Sequence, residues 1–284
     1  MIVMNPGKLF LVPTPIGNLQ DMTLRALDVL KKVDLVAAED TRQSLKLLNH
    51  FNIKKPLVSY HKFNETVKSG NIIEQLKAGR NIALVSDAGT PGISDPGDII
   101  VKKCIEAGIE FEVLTGATAV TTALVYSGLD KSMFTFVGFL PRDNKARNEI
   151  IEKLKNREDT LIFYESPYRV KALLLFLREK LGNRKVALWR ELTKLHEEIL
   201  RFTIDEAISY YEENEAKGEF VLVVSGKTKE EILEEKKIAW QDISIEEHIK
   251  TYMDKGLSKT DSIKMVSHDR NLRKSEVYKH SIGL

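Results

Sequence analysis

The sequence predicts an α/β protein with two α/β domains, a cleft between them and a small helical module at the C-terminal end. Three features of the 284 residues indicate this architecture. Short β-rich runs alternate with amphipathic helices from residue 8 to about 125, this pattern changes between about 132 and 225, and only helical patterns follow residue 240. We therefore divide the chain into an N-terminal domain, a second domain, a charged linker and a basic helical module: 1–125, 126–226, 227–240 and 241–284.

The first domain is expected to contain a largely parallel sheet covered on both faces. Its candidate strands are short apolar runs separated by amphipathic segments, which is the alternation that parallel crossover connections require. Leu24, Leu27 and Leu30 keep helical spacing in the first of these segments. The predicted strands are residues 9–12, 35–38, 57–60, 82–86 and 111–114.

A loop rich in glycine, proline and aspartate follows the fourth predicted strand. Residues 86–97 read Ser-Asp-Ala-Gly-Thr-Pro-Gly-Ile-Ser-Asp-Pro-Gly. An ordinary strand-to-helix turn needs one or two such residues, and open α/β sheets bind small molecules beyond the carboxyl ends of their strands. We interpret the segment as a ligand loop. Asp95, Pro96 and Asp98 predict the next helix start as N-cap, first-turn proline and acidic N3 residue.

The second domain is predicted to combine five strands with three helices. Apolar β-rich runs and helical spacings again alternate, with polar segments directly after several strands. The predicted strands are residues 134–137, 161–164, 185–188, 199–202 and 220–224, and the predicted helices are residues 145–155, 168–180 and 205–213.

A charged connector and three short helices are predicted after residue 226. Thr228 with Glu231 and Ser244 with Glu247 have the spacing of capping boxes. Apolar residues from Ile245 to Tyr278 are expected to form the core of the module. Between residues 250 and 280 there are eight Lys or Arg and four Asp or Glu, so the module is basic. This excess of positive charge indicates either a surface that binds phosphates or an ordinary solvated helix face.

Composition and motifs exclude several classes of function. Cys104 is the single cysteine, so disulfide frameworks and cysteine metal sites are excluded. No residues have the spacing of a zinc site, and the sequence contains neither a dinucleotide fingerprint, a phosphate loop nor a hydrolase nucleophile elbow. We expect no signal peptide at 1–7, no membrane span and therefore a cytoplasmic protein. The net charge of +2 means that any nucleic-acid contact must come from local patches.

Polar residues follow strand ends in both halves of the chain. Glu39, Asp40 and Arg42 follow the second strand, and His61 follows the third. Charges clustered at such positions are costly to desolvate, so an active-site role is the better interpretation for the first group, whereas His61 is by default a surface residue. Three similar segments in the second half, 138–142, 164–169 and 189–194, predict a cleft between two domains.

These segments together resemble the ribosomal small-subunit methyltransferase group of the tetrapyrrole methylase superfamily. The resemblance covers nearly the whole chain. It is carried by Thr-Pro-Ile-Gly-Asn-Leu at 14–19 with Asp21, Glu-Asp-Thr-Arg at 39–42, the loop at 85–97, Gly-Phe-Leu-Pro-Arg at 138–142, Tyr-Glu-Ser-Pro at 164–167, Arg-Glu-Leu-Thr-Lys at 190–194 and Gly-Glu-Phe at 218–220.

The resemblance implies the class III methyltransferase fold with S-adenosylmethionine as cofactor in the cleft. The implied reaction is 2′-O-methylation of a cytidine at the decoding centre of 16S ribosomal RNA, on the assembled small subunit, by a homodimer. The cofactor contacts that it implies are Asp87, Ala88, Gly89, Thr90 and Ile93 in the loop, Gly116 and Thr118 after the fifth strand, and Glu165, Ser166 and Leu192 in the second domain. The sequence departs from the family at 115–119, where Thr-Gly-Ala-Thr-Ala replaces a segment with two prolines, which predicts a softer loop.

Methyl transfer of this kind is an in-line displacement and needs no metal. A base would help to remove the proton of the weakly acidic 2′-hydroxyl, and Glu39, Asp40 and His61 are the candidates. The expected RNA contacts are Asn18, Asp21, Arg42, Arg142 and Arg169, together with the basic module.

Two other functions stay open at this stage. The same superfamily methylates small tetrapyrroles, although such a substrate gives no purpose to an appended basic module. The second alternative is a non-catalytic protein that senses S-adenosylmethionine and binds nucleic acid through a helix-turn-helix at 245–282, which would leave the polar strand ends without a purpose.

Overall fold

A parallel five-stranded sheet forms the first half of the fold. The computed structural model describes residues 5–193, 197–228, 230–232, 234, 240 and 242–284. The strand order is β3-β2-β4-β1-β5 and every neighbouring pair is parallel. The elements are β1 Leu9–Leu11, α1 Leu24–Lys32, β2 Leu35–Ala38, α2 Thr41–His50, β3 Leu57–Ser59, α3 Glu65–Lys77, β4 Ile82–Val85, α4 Asp98–Glu106 and β5 Phe111–Val113, with a 3₁₀ turn at Leu19–Asp21.

Both faces of this sheet are buried, as the continuous apolar runs of its strands predict. Alternate residues of β2 and β4 enter different clusters: Leu35 and Leu84 pack on one side, whereas Val36 and Val85 pack on the other. Helices cover each face, so the carboxyl ends of the strands form the accessible edge of the sheet. The predicted strands and the parallel arrangement are confirmed, with strand ends that differ by about one residue.

The second half of the fold contains a mixed sheet with the order β6-β7-β10-β8-β9. Only the β6 and β7 pair is parallel there, and the other neighbours are antiparallel. The elements are α5 Ala119–Ser127, β6 Phe134–Phe139, α6 Asn144–Leu154, β7 Thr160–Glu165, α7 Val170–Leu181, β8 Lys185–Arg190, β9 Glu198–Thr203, α8 Ile204–Glu213 and β10 Phe220–Val224. All five predicted strands and three helices are present, with shifts of at most two residues at their ends.

Helix α5 belongs with the second sheet. Its buried residues Val120, Ala123 and Leu124 form a cluster with Trp189 of β8 and Val221 of β10. A division between residues 125 and 126 would cut this helix, so a boundary just before residue 119 fits the packing better. The division into domains itself stays our proposal.

Three short helices form the C-terminal module: α9 Ile245–Asp254, α10 Lys259–Asp269 and α11 Lys274–Lys279. Ser244 and Glu247 form the predicted capping box, and Thr228 and Glu231 form another. Ile249, Ile263, Val266 and Val277 make the core, but Tyr278 is exposed rather than buried. Half of the predicted linker at 227–240 lies outside the described residues, namely 229, 233 and 235–239. Within the described parts of the chain, no helix has the length and apolar character needed to cross a membrane.

Candidate functional site

A cavity of about 380 Å³ lies between the carboxyl edge of the first sheet and the second half of the fold. Ten residues predicted as catalytic or cofactor-binding line it: Glu39, Asp87, Ala88, Gly89, Thr90, Ile93, Thr118, Glu165, Ser166 and Leu192. The cavity therefore lies where the polar strand ends of the two halves meet, and its size suits one small ligand.

Backbone hydrogen bonds hold the loop after β4 against the turn after β1. The amides of Thr14 and Gly89 each donate to the carbonyl of the other residue, at 2.9 and 3.0 Å. Gly89 has a φ of +84°, which an L side chain rarely adopts, and a Cβ there would lie 3.3 Å from Cγ2 of Ile16. The loop is thus fixed as one wall of the cavity by its main chain, so its side chains are available for a ligand.

The start of α4 differs from the sequence prediction. The N-cap is Gly97 and the helix begins at Asp98, so neither Asp95 nor Pro96 is part of it. The Asp95 side chain lines the cavity and hydrogen-bonds with Ser86. A two-residue extension of the loop therefore converts a predicted capping residue into a residue of the site.

The divergent segment at 115–119 lacks the two prolines of the family pattern and is held in place by a hydrogen bond instead. The hydroxyl of Thr90 donates to the carbonyl of Ala117 at 3.1 Å, which ties this segment to the loop after β4. Thr118 lines the cavity at the start of α5, whereas Gly116 is not among the lining residues. A Cβ on Gly116 would lie 2.5 Å from Cβ of Pro13, so the glycine is needed for the close approach of its backbone to the Pro13 ring.

The loop after β7 brings Glu165 and Ser166 to the opposite wall. Glu165 is 2% exposed, and its carboxylate accepts from the amide of Ser166 at 2.8 Å. Its second oxygen lies 3.2 Å from Nη2 of Arg169. Glu165 therefore shapes the turn, and the apolar surface beside it comes from Phe139, Tyr164 and Leu192.

Three carboxyl groups at the first wall have raised pKa values. Burial, and then the charges of Asp95 and Asp87, raise the pKa of Glu39 to about 7. Burial is also the main cause of the rise to about 6 for the pKa of Asp95 and of the smaller rise for the pKa of Asp87. These groups titrate as a coupled cluster that favours a cation in the cavity and contains a proton acceptor poised near neutral pH.

The other two candidate bases have different surroundings. Asp40 binds the guanidinium of Arg42 at 2.6 Å and caps α2, and these bonds lower its pKa to about 2. His61 does not line the cavity; its Nε2 lies 3.1 Å from Nδ2 of Asn64, the N-cap of α3. Of the three candidates, the structure brings only Glu39 into the cavity wall.

None of the predicted RNA contacts lines the cavity, although each lies within two to five residues of a lining residue along the chain. Asn18 caps the 3₁₀ turn by accepting from the amide of Gln20, and Asp21 ends that turn. Arg42 is 87% exposed at its side chain while paired with Asp40, and Arg142 is exposed beyond β6. Arg169 donates to the carbonyl of Leu140 at 3.0 Å, so this guanidinium joins two loops.

Comparison with known proteins agrees with this geometry. The family model of tetrapyrrole (corrin/porphyrin) methylases matches residues 8–208. The chain belongs to the tetrapyrrole methylase family. The chain is 50% identical to ribosomal RNA small subunit methyltransferase I of Bacillus subtilis (strain 168), over 96% of this chain and 93% of that protein. It is 44% identical to the protein of the same name from Synechocystis sp., over 98% of each chain.

Two solved structures share the fold of this tetrapyrrole methylase. Uroporphyrin-III-C-methyltransferase from Thermus thermophilus has a TM-score of 0.55 and 23% identity, covering 78% of this chain and 92% of that one. Diphthine synthase has a TM-score of 0.64 and 16% identity, covering 78% and 91%. The chain therefore shares its two-sheet fold with these structures. The family model and the curated relatives show that it is a methyltransferase.

Sequence reasoning missed half of the residues that line the cavity of this tetrapyrrole methylase. The missed residues are Ile16, Ser94, Asp95, Ala119, Phe139, Tyr164, Pro167, Glu219, Phe220 and Val221. Most lie next to predicted contacts, and the rule that ligands bind beyond the carboxyl ends of strands already pointed to those segments. In the part of the chain that the structure describes, no group of three His, Cys, Asp or Glu side chains is arranged to hold a metal ion.

Proposed function

We propose that this protein transfers the methyl group of S-adenosylmethionine to the ribose 2′-oxygen of a cytidine in 16S ribosomal RNA of the small subunit. The single observation that carries the proposal is the acidic cavity between the two halves of a tetrapyrrole methylase fold. The names of relatives that are 50% and 47% identical support ribosomal RNA as the substrate.

The residues of the cavity fit S-adenosylmethionine. Its sulfonium and ammonium groups are cationic, and Glu39, Asp87 and Asp95 supply negative charge. Because burial makes that charge costly without a positive partner, the cavity favours a cationic ligand. Phe139 and Leu192 supply apolar surface for the nucleoside. When bound, the cofactor supplies an electrophilic methyl group. We propose the predicted contacts other than Gly116 as its binding residues.

Glu39 is the proposed base for the ribose hydroxyl. A carboxylate with a pKa of about 7 accepts a proton at neutral pH, and it is a much stronger base than one with the usual value of 4.5. Asp40 is a poor alternative because its salt bridge with Arg42 lowers its pKa to about 2. His61 is a poor alternative because it lies outside the cavity wall. The walls otherwise orient the hydroxyl toward the methyl carbon for in-line displacement.

Basic groups outside the cavity are proposed to hold the RNA backbone. Arg42 and Arg142 are exposed, one in each half of the fold, and each lies three residues after a lining residue of the cavity. Arg273, Lys274 and Lys279 are exposed on the last helix of the C-terminal module and give it a phosphate-binding face. This module favours a ribosomal substrate over a small tetrapyrrole, which would occupy only the cleft.

We also propose that the protein is a cytoplasmic homodimer. Residues 125–134 expose four large apolar side chains, Val125, Tyr126, Met133 and Phe134, at 44% to 66% of their surface. A second copy would remove this apolar surface from water. Light scattering after size-exclusion chromatography gives the mass directly, and a monomer at micromolar concentration contradicts this point.

Methylation of purified small subunits tests the proposed reaction. Subunits from cells that lack the enzyme are incubated with labelled S-adenosylmethionine, and the RNA is hydrolysed in alkali. A 2′-O-methyl group blocks the neighbouring cleavage, so we expect the label in one alkali-resistant dinucleotide that contains cytidine. Label on a tetrapyrrole alone, or cofactor binding without transfer, contradicts the proposal.

A further inference from the structure

Two exposed aromatic side chains lie in loops that follow strand ends, one in each half of the fold. Phe63 and Tyr168 are each 96% exposed, the highest values among the large apolar side chains that the structure describes. Exposing a whole aromatic ring costs free energy that burial would recover, so two such rings beside a substrate cleft indicate a ligand. Neither residue has a role in the cofactor site or in proton removal.

The backbone presents both rings in the same way. The amide of Asn64 donates to the carbonyl of His61 at 2.9 Å, and the amide of Arg169 donates to that of Ser166 at 3.1 Å. Each bond closes a four-residue turn in which the aromatic residue is third, directly before a helix: α3 after Phe63 and α7 after Tyr168. The turns hold the rings at their tips, which lowers the entropic cost of binding.

Both turns follow strand ends close to residues that line the cavity. The strand that precedes Phe63, β3, pairs with β2, and its residue Ser59 lies opposite Ala38, the residue before Glu39. Adjacent strands are about 4.8 Å apart, so the loop that leaves β3 and contains Phe63 starts one strand away from the proposed base. Tyr168 directly follows Pro167, which lines the other wall.

The charges around the rings match a nucleic acid. Lys62 is exposed beside Phe63, and Lys171 is exposed three residues after Tyr168. Arg142 is exposed in the loop after β6, which Arg169 joins to the Tyr168 turn through the carbonyl of Leu140. The ring of His61 packs edge-on to Phe63 with centroids 6.2 Å apart, which supports that ring from one side. Aromatic faces beside cations are the arrangement that proteins use to stack unpaired bases and hold their phosphates.

We propose that Phe63 and Tyr168 form a two-sided stacking platform for the unpaired bases next to the nucleotide whose ribose enters the cavity. This inference rests on the proposed function, since it places RNA at the mouth of the cavity. The platform binds bases through their faces, so it is tolerant of sequence and holds the strand open around the target.

Ring-retaining and ring-removing variants test the platform. Phe63→Leu and Tyr168→Leu keep an apolar side chain but lose the ring, whereas Phe63→Tyr and Tyr168→Phe retain it. Ile105→Ala is the matched control, because Ile105 is 64% exposed at the far end of α4, away from the cavity. The measurements are the Kd for an unstructured cytidine-containing oligoribonucleotide, the KM for small subunits, and the Kd for S-adenosylmethionine.

We expect each ring-removing variant to weaken oligoribonucleotide binding by about fivefold or more, from the usual contribution of one stacked base. The KM for small subunits should rise in parallel, while the ring-retaining variants, the control and all cofactor affinities stay within about twofold of the unchanged protein. Equal binding by the leucine variants overturns the platform, and ring dependence at only one of the two residues overturns its two-sided form.

The two proposals fail in different ways. If the unchanged protein methylates cytidine but the leucine variants bind RNA normally, the platform is wrong and the proposed reaction stands. If RNA binding depends on both rings but no cytidine is methylated, the platform stands and the proposed reaction is wrong. If the unchanged protein binds neither the oligoribonucleotide nor small subunits, both are wrong.

Discussion

Replacement of Glu39 by glutamine should stabilise the protein while abolishing most of its activity. Burial and two neighbouring carboxylates raise the pKa of Glu39 from 4.5 to about 7. Because one pKa unit corresponds to about 1.36 kcal/mol, the ionised form costs about 3 kcal/mol in the folded protein. Glutamine is nearly isosteric, carries no charge and keeps a carbonyl that accepts the hydrogen bond from the Asp87 amide.

The sign of the pH dependence follows from the raised pKa. Between pH 4.5 and 7 the folded state binds more protons at Glu39 than the unfolded state, so this residue makes stability fall as the pH rises. The cost is absent below about pH 4.5 and complete above about pH 7. Glu39→Gln should therefore raise the free energy of unfolding by up to about 3 kcal/mol at pH 8 and change it little at pH 4.

Denaturant unfolding at both pH values, together with initial rates on small subunits, measures the two effects. Loss of a general base should lower kcat by about 10²- to 10⁴-fold, and the unchanged protein should lose kcat/KM below an apparent pKa near 7. Asp40→Asn is the matched control, since asparagine also caps α2, and its kcat should fall less than about threefold. A Glu39→Gln enzyme with near-normal kcat refutes the base, and no gain in stability at pH 8 refutes the electrostatic reasoning.

Three further predictions concern the cofactor, the backbone and the module. Asp95→Asn should weaken binding of S-adenosylmethionine by about tenfold, because it removes a carboxylate that attracts the sulfonium. Binding of S-adenosylhomocysteine, whose sulfur is neutral, should weaken less. Calorimetry measures both affinities, and equal losses contradict an interaction with the sulfonium. Gly116→Ala should lower the free energy of unfolding by about 1–3 kcal/mol, because the new Cβ would collide with Pro13. Gly70→Ala is the control: it has open space around it on α3 and should raise the free energy of unfolding by up to about 1 kcal/mol. Denaturant unfolding measures both changes. Deletion of 241–284 should weaken small-subunit binding and leave cofactor affinity unchanged, and unchanged turnover on subunits refutes RNA docking by the module.

Local sequence patterns predicted the sheets well because burial on two faces leaves a simple apolar signal. Val36 and Val85 lie in uninterrupted apolar runs, and such runs have few alternatives to a buried parallel strand. Capping boxes were equally local, as Ser244 and Glu247 illustrate. The mixed second sheet was predicted only as strands, because pairing between β10 and β7 joins residues more than 50 positions apart and leaves no local signal.

The site was harder to predict than the fold because its chemistry depends on distances between segments. Asp95 fitted a helix cap in sequence, and only the packed loop turns it toward Glu39 and Asp87. Glu39 and Asp40 are adjacent carboxylates with opposite pKa shifts, because one is partly buried among like charges and the other is paired with Arg42 in solvent. No property of either residue alone separates the base from the surface ion pair.

Acidic and basic side chains are separated on this protein, so the net charge of +2 does not indicate the charge of the substrate. Carboxylates cluster on the cavity wall around Glu39 and Asp95, whereas Arg42, Arg142 and the last helix of the module place cations outside it. A phosphodiester backbone is repelled by the acidic wall and attracted to the basic rim. Under the proposed function, the strand therefore stays at the rim while an uncharged ribose enters, and the same wall that excludes phosphate favours the cationic cofactor and retains a base for the 2′-hydroxyl.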